Sequence, residues 1–208
     1  MSVPQKLPGG YDEGVSNDKK SWRAGRPGFG LSEFFLVFVA AFTYYFAYLS
    51  SYQLSQFFQF SHATSWFYLP SGVRLLLTLI LMGPGALGVM LGTLAIDYIY
   101  HESNDHLYNW VTASVAGLSA YVALLLAQRM FRLEATLARL SQLNLLGICM
   151  VFALVSPLMH QIWYRLNHNN ESFLSSFAVM ALGDLGGSVL VLYAIQWLMR
   201  LLRLLRTG

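Results

Sequence analysis

Apolar residues in this chain gather into runs close to twenty residues long, separated by short polar stretches, and that pattern predicts six helices. A run of about twenty apolar residues crosses the roughly 30 Å hydrocarbon core of a bilayer as an α-helix. The first helix is predicted from about Leu31 to Ser51, with Tyr44, Tyr45, Phe46 and Tyr48 towards its far end. An uncharged polar loop, Tyr52 to Thr64, leads into the second apolar stretch, Ser65 to Met82. Met82-Gly83-Pro84-Gly85 reads as a tight turn into a third helix, about Gly85 to Tyr100. The fourth covers about Tyr108 to Gln128, the fifth Gln142 to Tyr164 and the sixth Phe173 to Met199. Residues 1–30 hold no such run. Their prolines, glycines and scattered charges predict a flexible tail, which leaves 31–208 as one helical membrane domain.

Two of the six helices carry helix-breaking residues. The second contains Pro70-Ser71-Gly72 and, four residues after the proline, Arg74; the sixth contains Gly183-Asp184-Leu185-Gly186-Gly187. Pro and Gly at membrane depth free backbone groups that other helices, side chains or a cavity must satisfy. The expected fold is therefore all-α and integral to the membrane, with helices two and six interrupted at Pro70, Gly72, Gly183, Gly186 and Gly187. Helices three and four each present small residues at helical spacing, Gly88 and Gly92 on one and Ala113 and Gly117 on the other, which let helices approach closely.

Composition agrees with the pattern. Charged residues make up 11% of the chain against about 25% in an ordinary soluble domain. The formal charge of +3 matters less than its placement. Six crossings put both tails and the loop after helix four on one side, and that side holds Lys6, Lys19, Lys20, Arg23, Arg26, Arg129, Arg132, Arg139, Arg200, Arg203 and Arg206. Only Arg74 and Arg165 lie elsewhere. Basic residues collect on the cytoplasmic side of membrane proteins, so both termini are expected there. The start does not read as a secretory leader, because about thirty polar residues precede the first apolar run. The one cysteine, Cys149, lies in an apolar run and excludes an intrachain disulfide. No nucleophile–base constellation, phosphate loop or nucleic-acid signature is present, so no enzymatic activity, cofactor or nucleic-acid partner is expected. The bilayer is the expected environment, with a further membrane or cytoplasmic protein partner, and a small-molecule ligand is left open.

Charge inside the membrane marks the candidate site. An arginine at the bilayer centre costs about 2.5–3.5 kcal/mol on insertion scales unless it is paired. At roughly 1.5 Å per residue, Arg74 lies just inside the outer end of helix two, level with Asp97 and slightly above Asp184 near the midplane. Arg74, Asp184 and Asp97 are thus the candidate ligand-binding or ion-pairing residues. A structural pair that docks two helices and a polar site that binds a charged group both fit this arrangement. His160 on helix five reads as a core histidine rather than a haem ligand, since the other histidines fall in outer loops. His62, His101, His106 and His168 with Glu102 and Asp105 match no metal-ligand spacing and read as solvated loop residues.

Two stretches carry a resemblance. Trp66-Phe-Tyr-Leu-Pro70-Ser71-Gly72 with the following Gly85-Ala-Leu-Gly-Val-Met-Leu-Gly92, and Leu182-Gly183-Asp184-Leu185-Gly186-Gly187 near the end, resemble the MASE1 family of bacterial integral-membrane sensory domains. The resemblance implies a multi-helix sensor that feeds a kinase or cyclase output domain. This chain departs from it by having about six helices instead of about eight and by ending after the sixth. The expected function is therefore a non-enzymatic sensory or adaptor module of the bacterial inner membrane that relays to a separate polypeptide. A substrate-binding transport subunit and an assembly subunit of a larger membrane complex are the alternatives.

Overall fold

The computed structural model describes residues 30–57, 59–61, 64–65, 68–100, 105–131, 141–167 and 172–207. The expected tail lies outside them, apart from Gly30. Six helices follow in order: α1 (Leu31–Phe57), α2 (Leu69–Leu81), α3 (Gly83–Tyr100), α4 (His106–Phe131), α5 (Gln142–Leu166) and α6 (Phe173–Thr207). Between α1 and α2, the short strands β1 (Gln59–Ser61) and β2 (Thr64–Ser65) pair antiparallel, with Gln59 opposite Ser65 and Ser61 opposite Thr64. Part of the polar stretch expected to be loop is therefore helix and ribbon.

Four helices are long and apolar enough to cross a membrane: α1 up to Ser51, α4, α5, and α6 up to Leu202. Their outward faces carry exposed Phe34, Phe38, Phe42, Leu118, Met150 and Leu190, side chains that hydrocarbon solvates and water does not. α2 is different. Its 13 residues reach only about 20 Å, short of a full crossing.

α2 is the inner helix. α3 lies between α1 and α4, α5 lies between α4 and α6, and α2 packs against α6, α3, α1 and α4. Accordingly Pro70, Ser71, Gly72, Arg74, Leu75, Leu77 and Thr78 are all buried. Leu75 joins Ala120, Ala123, Leu145, Ile148, Phe152 and Leu192 in one apolar cluster. Leu77 joins Ala40, Tyr44, Val89 and Ile96 in another, on the α1–α3 side.

The expected interruptions take a different form. Pro70 occupies the first turn of α2, where its missing N–H removes no helical bond, so it starts the helix instead of breaking it. α6 runs without a break through Gly183, Gly186 and Gly187. The glycines serve close approach. A Cβ on Gly72 would overlap the Gly187 carbonyl oxygen, and a Cβ on Gly187 would overlap the Tyr68 carbonyl oxygen, so α2 and α6 meet backbone to backbone. The small faces of α3 and α4 act likewise: Gly88 and Gly92 meet α1 at Ala40 and Ala41, Gly117 meets Ala86 of α3, and Ala113 is fully buried.

This crossing fixes the relative reach of the two helices. Taking Gly72 as level with Gly187, α6 continues past each end of α2 by about 16 Å. Both ends of α2 therefore sit well inside the length of its neighbour. The C-terminal end of α2 turns at once into α3 through Met82, the one residue between them. Met82 has φ 56° and ψ −122°, and its N–H donates to the Thr78 carbonyl at 2.8 Å. A side chain in that region costs on the order of 1–3 kcal/mol and persists only where packing dictates the turn.

Gly187→Ala should lower the melting temperature in detergent, reflecting about 1–3 kcal/mol of overpacking against the Tyr68 backbone. Gly83→Ala, where a Cβ meets nothing within 4 Å, should leave the melting temperature close to wild type.

Candidate functional site

The backbone contact between α2 and α6 brings two charges together. Arg74 is two residues past Gly72 and its side chain leans back towards the start of α2, as helical side chains do. Asp184 lies three residues before Gly187, almost one turn away. Arg74 Nη2 stands 3.2 Å from Asp184 Oδ2, with both side chains at most 3% exposed. This is the one ion pair among the described residues. The Ser71 hydroxyl donates to the Tyr68 carbonyl at 2.6 Å and reaches the Asp184 carbonyl at 3.4 Å, tying the first turn of α2 to the same point of α6.

α5 supplies the third wall through a row of residues four apart: Phe152, Ser156, His160 and Tyr164. Residues so spaced share one helical face. The Arg74 guanidinium carbon lies 5.1 Å from the Phe152 ring centroid, and Nη2 donates to Ser156 Oγ at 2.8 Å. His160 Nδ1 lies 2.8 Å from the Ser156 carbonyl oxygen. A carbonyl only accepts, so this nitrogen carries a proton and donates it to the Ser156 carbonyl. The His160 and Tyr164 rings follow at 6.1 Å between centroids. A polar track thus runs along α5 from the ion pair towards the C-terminal end of that helix.

Two atoms of the pair remain without a hydrogen bond among the described residues, Arg74 Nε and Asp184 Oδ1. A single 3.2 Å contact leaves the pair well short of the two parallel bonds that arginine and carboxylate can form. Desolvating two charges is offset only by good geometry and full hydrogen bonding, so this pair is held by its surroundings more than it stabilises them.

The remaining sequence candidates lie around this centre. Asp97, on α3, does not pair with Arg74; it is half-buried, within electrostatic range of the Tyr108 and Tyr164 hydroxyls. The depth estimate placed it level with Arg74 but could not show which way α3 faces. Gly183 is buried beside Asp184, and Gly186 lies on the same unbroken helix. His106 accepts from or donates to Tyr98 at 3.0 Å, and Asp105 Oδ1 caps the first turn of α4 by accepting from the Tyr108 N–H at 3.1 Å. His62, His101, Glu102 and His168 lie outside the described residues, and among the described residues no cluster of metal ligands occurs. Sequence reasoning missed Ser71, Phe152 and Ser156. The four-residue spacing from Phe152 to Tyr164, flanking Pro157, was the available signal.

Comparison with protein families, curated proteins and solved structures finds no match to this chain.

Arg74→Leu should destabilise the protein more than Arg74→Leu combined with Asp184→Asn, because the single change strands a buried carboxylate, a loss of about 3–5 kcal/mol. Melting temperatures of the two variants and of Asp184→Asn alone form the cycle; additive losses would mean that the two side chains act independently.

Proposed function

We propose that this chain is a non-enzymatic sensory or adaptor module of the bacterial inner membrane. A charged ligand or a membrane partner would open the Arg74–Asp184 pair, and the change would be passed to a separate polypeptide. The observation that carries the reading is the continuity of α6. The helix that holds Asp184 in the core runs unbroken to Thr207, about 35 Å further along its axis. A rigid helix transmits a shift at one end to the other, and the glycine contact with α2 makes that shift sensitive to what sits between them. The resemblance of Trp66–Gly72 and Leu182–Gly187 to MASE1 sensory domains supports the same point, since Tyr68, Ser71 and Gly72 of the first stretch meet Asp184 and Gly187 of the second.

Both termini are cytoplasmic in this reading. α1, α4, α5 and α6 cross the bilayer, and α2 with α3 forms a hairpin whose ends return to the outer side. That hairpin keeps the sidedness that six full crossings would give, and it leaves Arg165 as the outer arginine.

The transport-subunit reading has less support, because the pair is packed against Phe152 and Ser156. The assembly reading draws on Gly88, Gly92 and Gly117, and these face α1 and α3 of the same chain.

Affinity purification from native membranes in mild detergent tests the proposal, with wild type beside Asp184→Asn. A stoichiometric signalling partner held by wild type and lost or weakened at least tenfold in the variant is the expected outcome. A partner held equally by both would move the function to the helix faces. A small solute retained by wild type alone, with no protein partner, would favour the transport subunit.

A further inference from the structure

Of the two partners in the buried pair, one can change its charge. A guanidinium keeps its proton in a protein, whereas a carboxylate can take one up. Asp184 is 1% exposed, and its two oxygens differ in what they touch. Oδ2 accepts from Arg74 Nη2 at 3.2 Å, while Oδ1 has no hydrogen bond among the described residues. A proton on Oδ1 therefore displaces no donor, and Oδ2 keeps its contact as the oxygen of a neutral acid.

The charged and titratable groups around Asp184 come from the elements that pack against α6. From α2 comes Arg74, with Tyr68 just before that helix and within electrostatic range of the guanidinium. From α5 come His160, within range of Arg74, and Tyr164, within range of Arg74, Asp184, Asp97 and Tyr108. The ribbon strand β2 also packs on α6 and brings Thr64 and Ser65, neither of them titratable. A proton added to the ring of His160 would set a second cation beside Arg74, which like charge disfavours. The carboxylate is the acceptor that Arg74 leaves.

Packing narrows the ligand further. Gly72 and Gly187 bring the two backbones together, and the Phe152 ring covers the guanidinium with its centroid 5.1 Å from the central carbon. A metal cation entering here would meet Arg74, and an anion would meet Asp184, so each is opposed by one member of the pair. A proton becomes part of Asp184 and needs no space of its own. Hydroxyl and imidazole groups both donate and accept, so the row Ser156, His160 and Tyr164 has the chemistry of a proton route.

We propose that the charged ligand of this centre is a proton, bound by Asp184 on Oδ1. One proton from solvent adds to the carboxylate and an O–H bond forms. Arg74 keeps its charge, so the pair passes from net zero to one positive charge. The ion pair becomes a hydrogen bond between a cation and a neutral acid, and the guanidinium retains Ser156 and the Phe152 ring. This inference rests on the reading of the pair as a centre that a charged ligand opens.

Infrared difference spectroscopy tests it on the full chain in phosphatidylcholine nanodiscs. The carbonyl stretch of protonated carboxyl groups is followed as pH is lowered, in wild type, Asp184→Asn and Asp97→Asn. A buried acid with few hydrogen bonds absorbs at higher frequency than solvated ones and exchanges slowly with deuterium. The expected result is one such component in wild type, kept in Asp97→Asn and lost in Asp184→Asn. Its absence from wild type across the whole pH range in which the protein stays folded would overturn the proposal, whether or not Asp184→Asn folds. So would a component that Asp97→Asn removes. Partner retention separates this result from the sensory reading. No Asp184 component, with the partner still lost in Asp184→Asn, excludes the proton and keeps the relay. An Asp184 component with partner retention independent of pH supports the proton site and overturns the relay.

Discussion

One charge in the wrong solvent organises this molecule. Arg74 cannot remain among hydrocarbon without a partner, and the fold brings that partner from 110 residues away. The rest of the core is arranged around the meeting. Gly72 and Gly187 remove the side chains that would hold α2 and α6 apart, and Ser71 ties the two backbones at the same level. Phe152 and Ser156 then give the guanidinium a ring face and a hydroxyl. A membrane protein gains little from burying apolar surface against apolar lipid, so close backbone packing and polar contacts of this kind decide which helices become neighbours.

The incompleteness of the pair is as informative as its existence. A structural ion pair with every donor and acceptor satisfied would lock α2 to α6. Here one guanidinium nitrogen and one carboxylate oxygen lack a hydrogen bond among the described residues, beside an imidazole whose Nδ1 proton is committed to the Ser156 carbonyl. Such a centre has more than one way of satisfying itself. The polar row along α5 and the tyrosines near Asp97 extend it towards the C-terminal end of α5.

Much of this was written in the sequence, and what was not has physical reasons. Six apolar runs gave six helices because length and hydropathy decide helix existence in a membrane. Membrane cost singled out Arg74 and Asp184, since few residues are so badly placed without a reason. The meaning of the glycines was misjudged. Pro70 and the Gly183–Gly187 run read as breaks, because a sequence shows helix-weakening residues but not the neighbouring backbone that they admit. Asp97 was level with Arg74 yet directed elsewhere, because depth along a helix says nothing about azimuth. The length of α2 was also hidden: its apolar run is long enough to span, but Ser65 at its start pairs in the ribbon and the helix begins only at Leu69.

The brevity of α2 bears on how the chain is made. A segment of 13 helical residues with a central arginine is a poor candidate for insertion on its own as it leaves the ribosome. Met82 alone separates it from the apolar α3, which binds the two helices closely in chain order. Asp184 is synthesised more than a hundred residues later. Until α6 emerges, the growing chain cannot supply Arg74 with this partner, so the α2–α6 contact belongs to the late part of assembly.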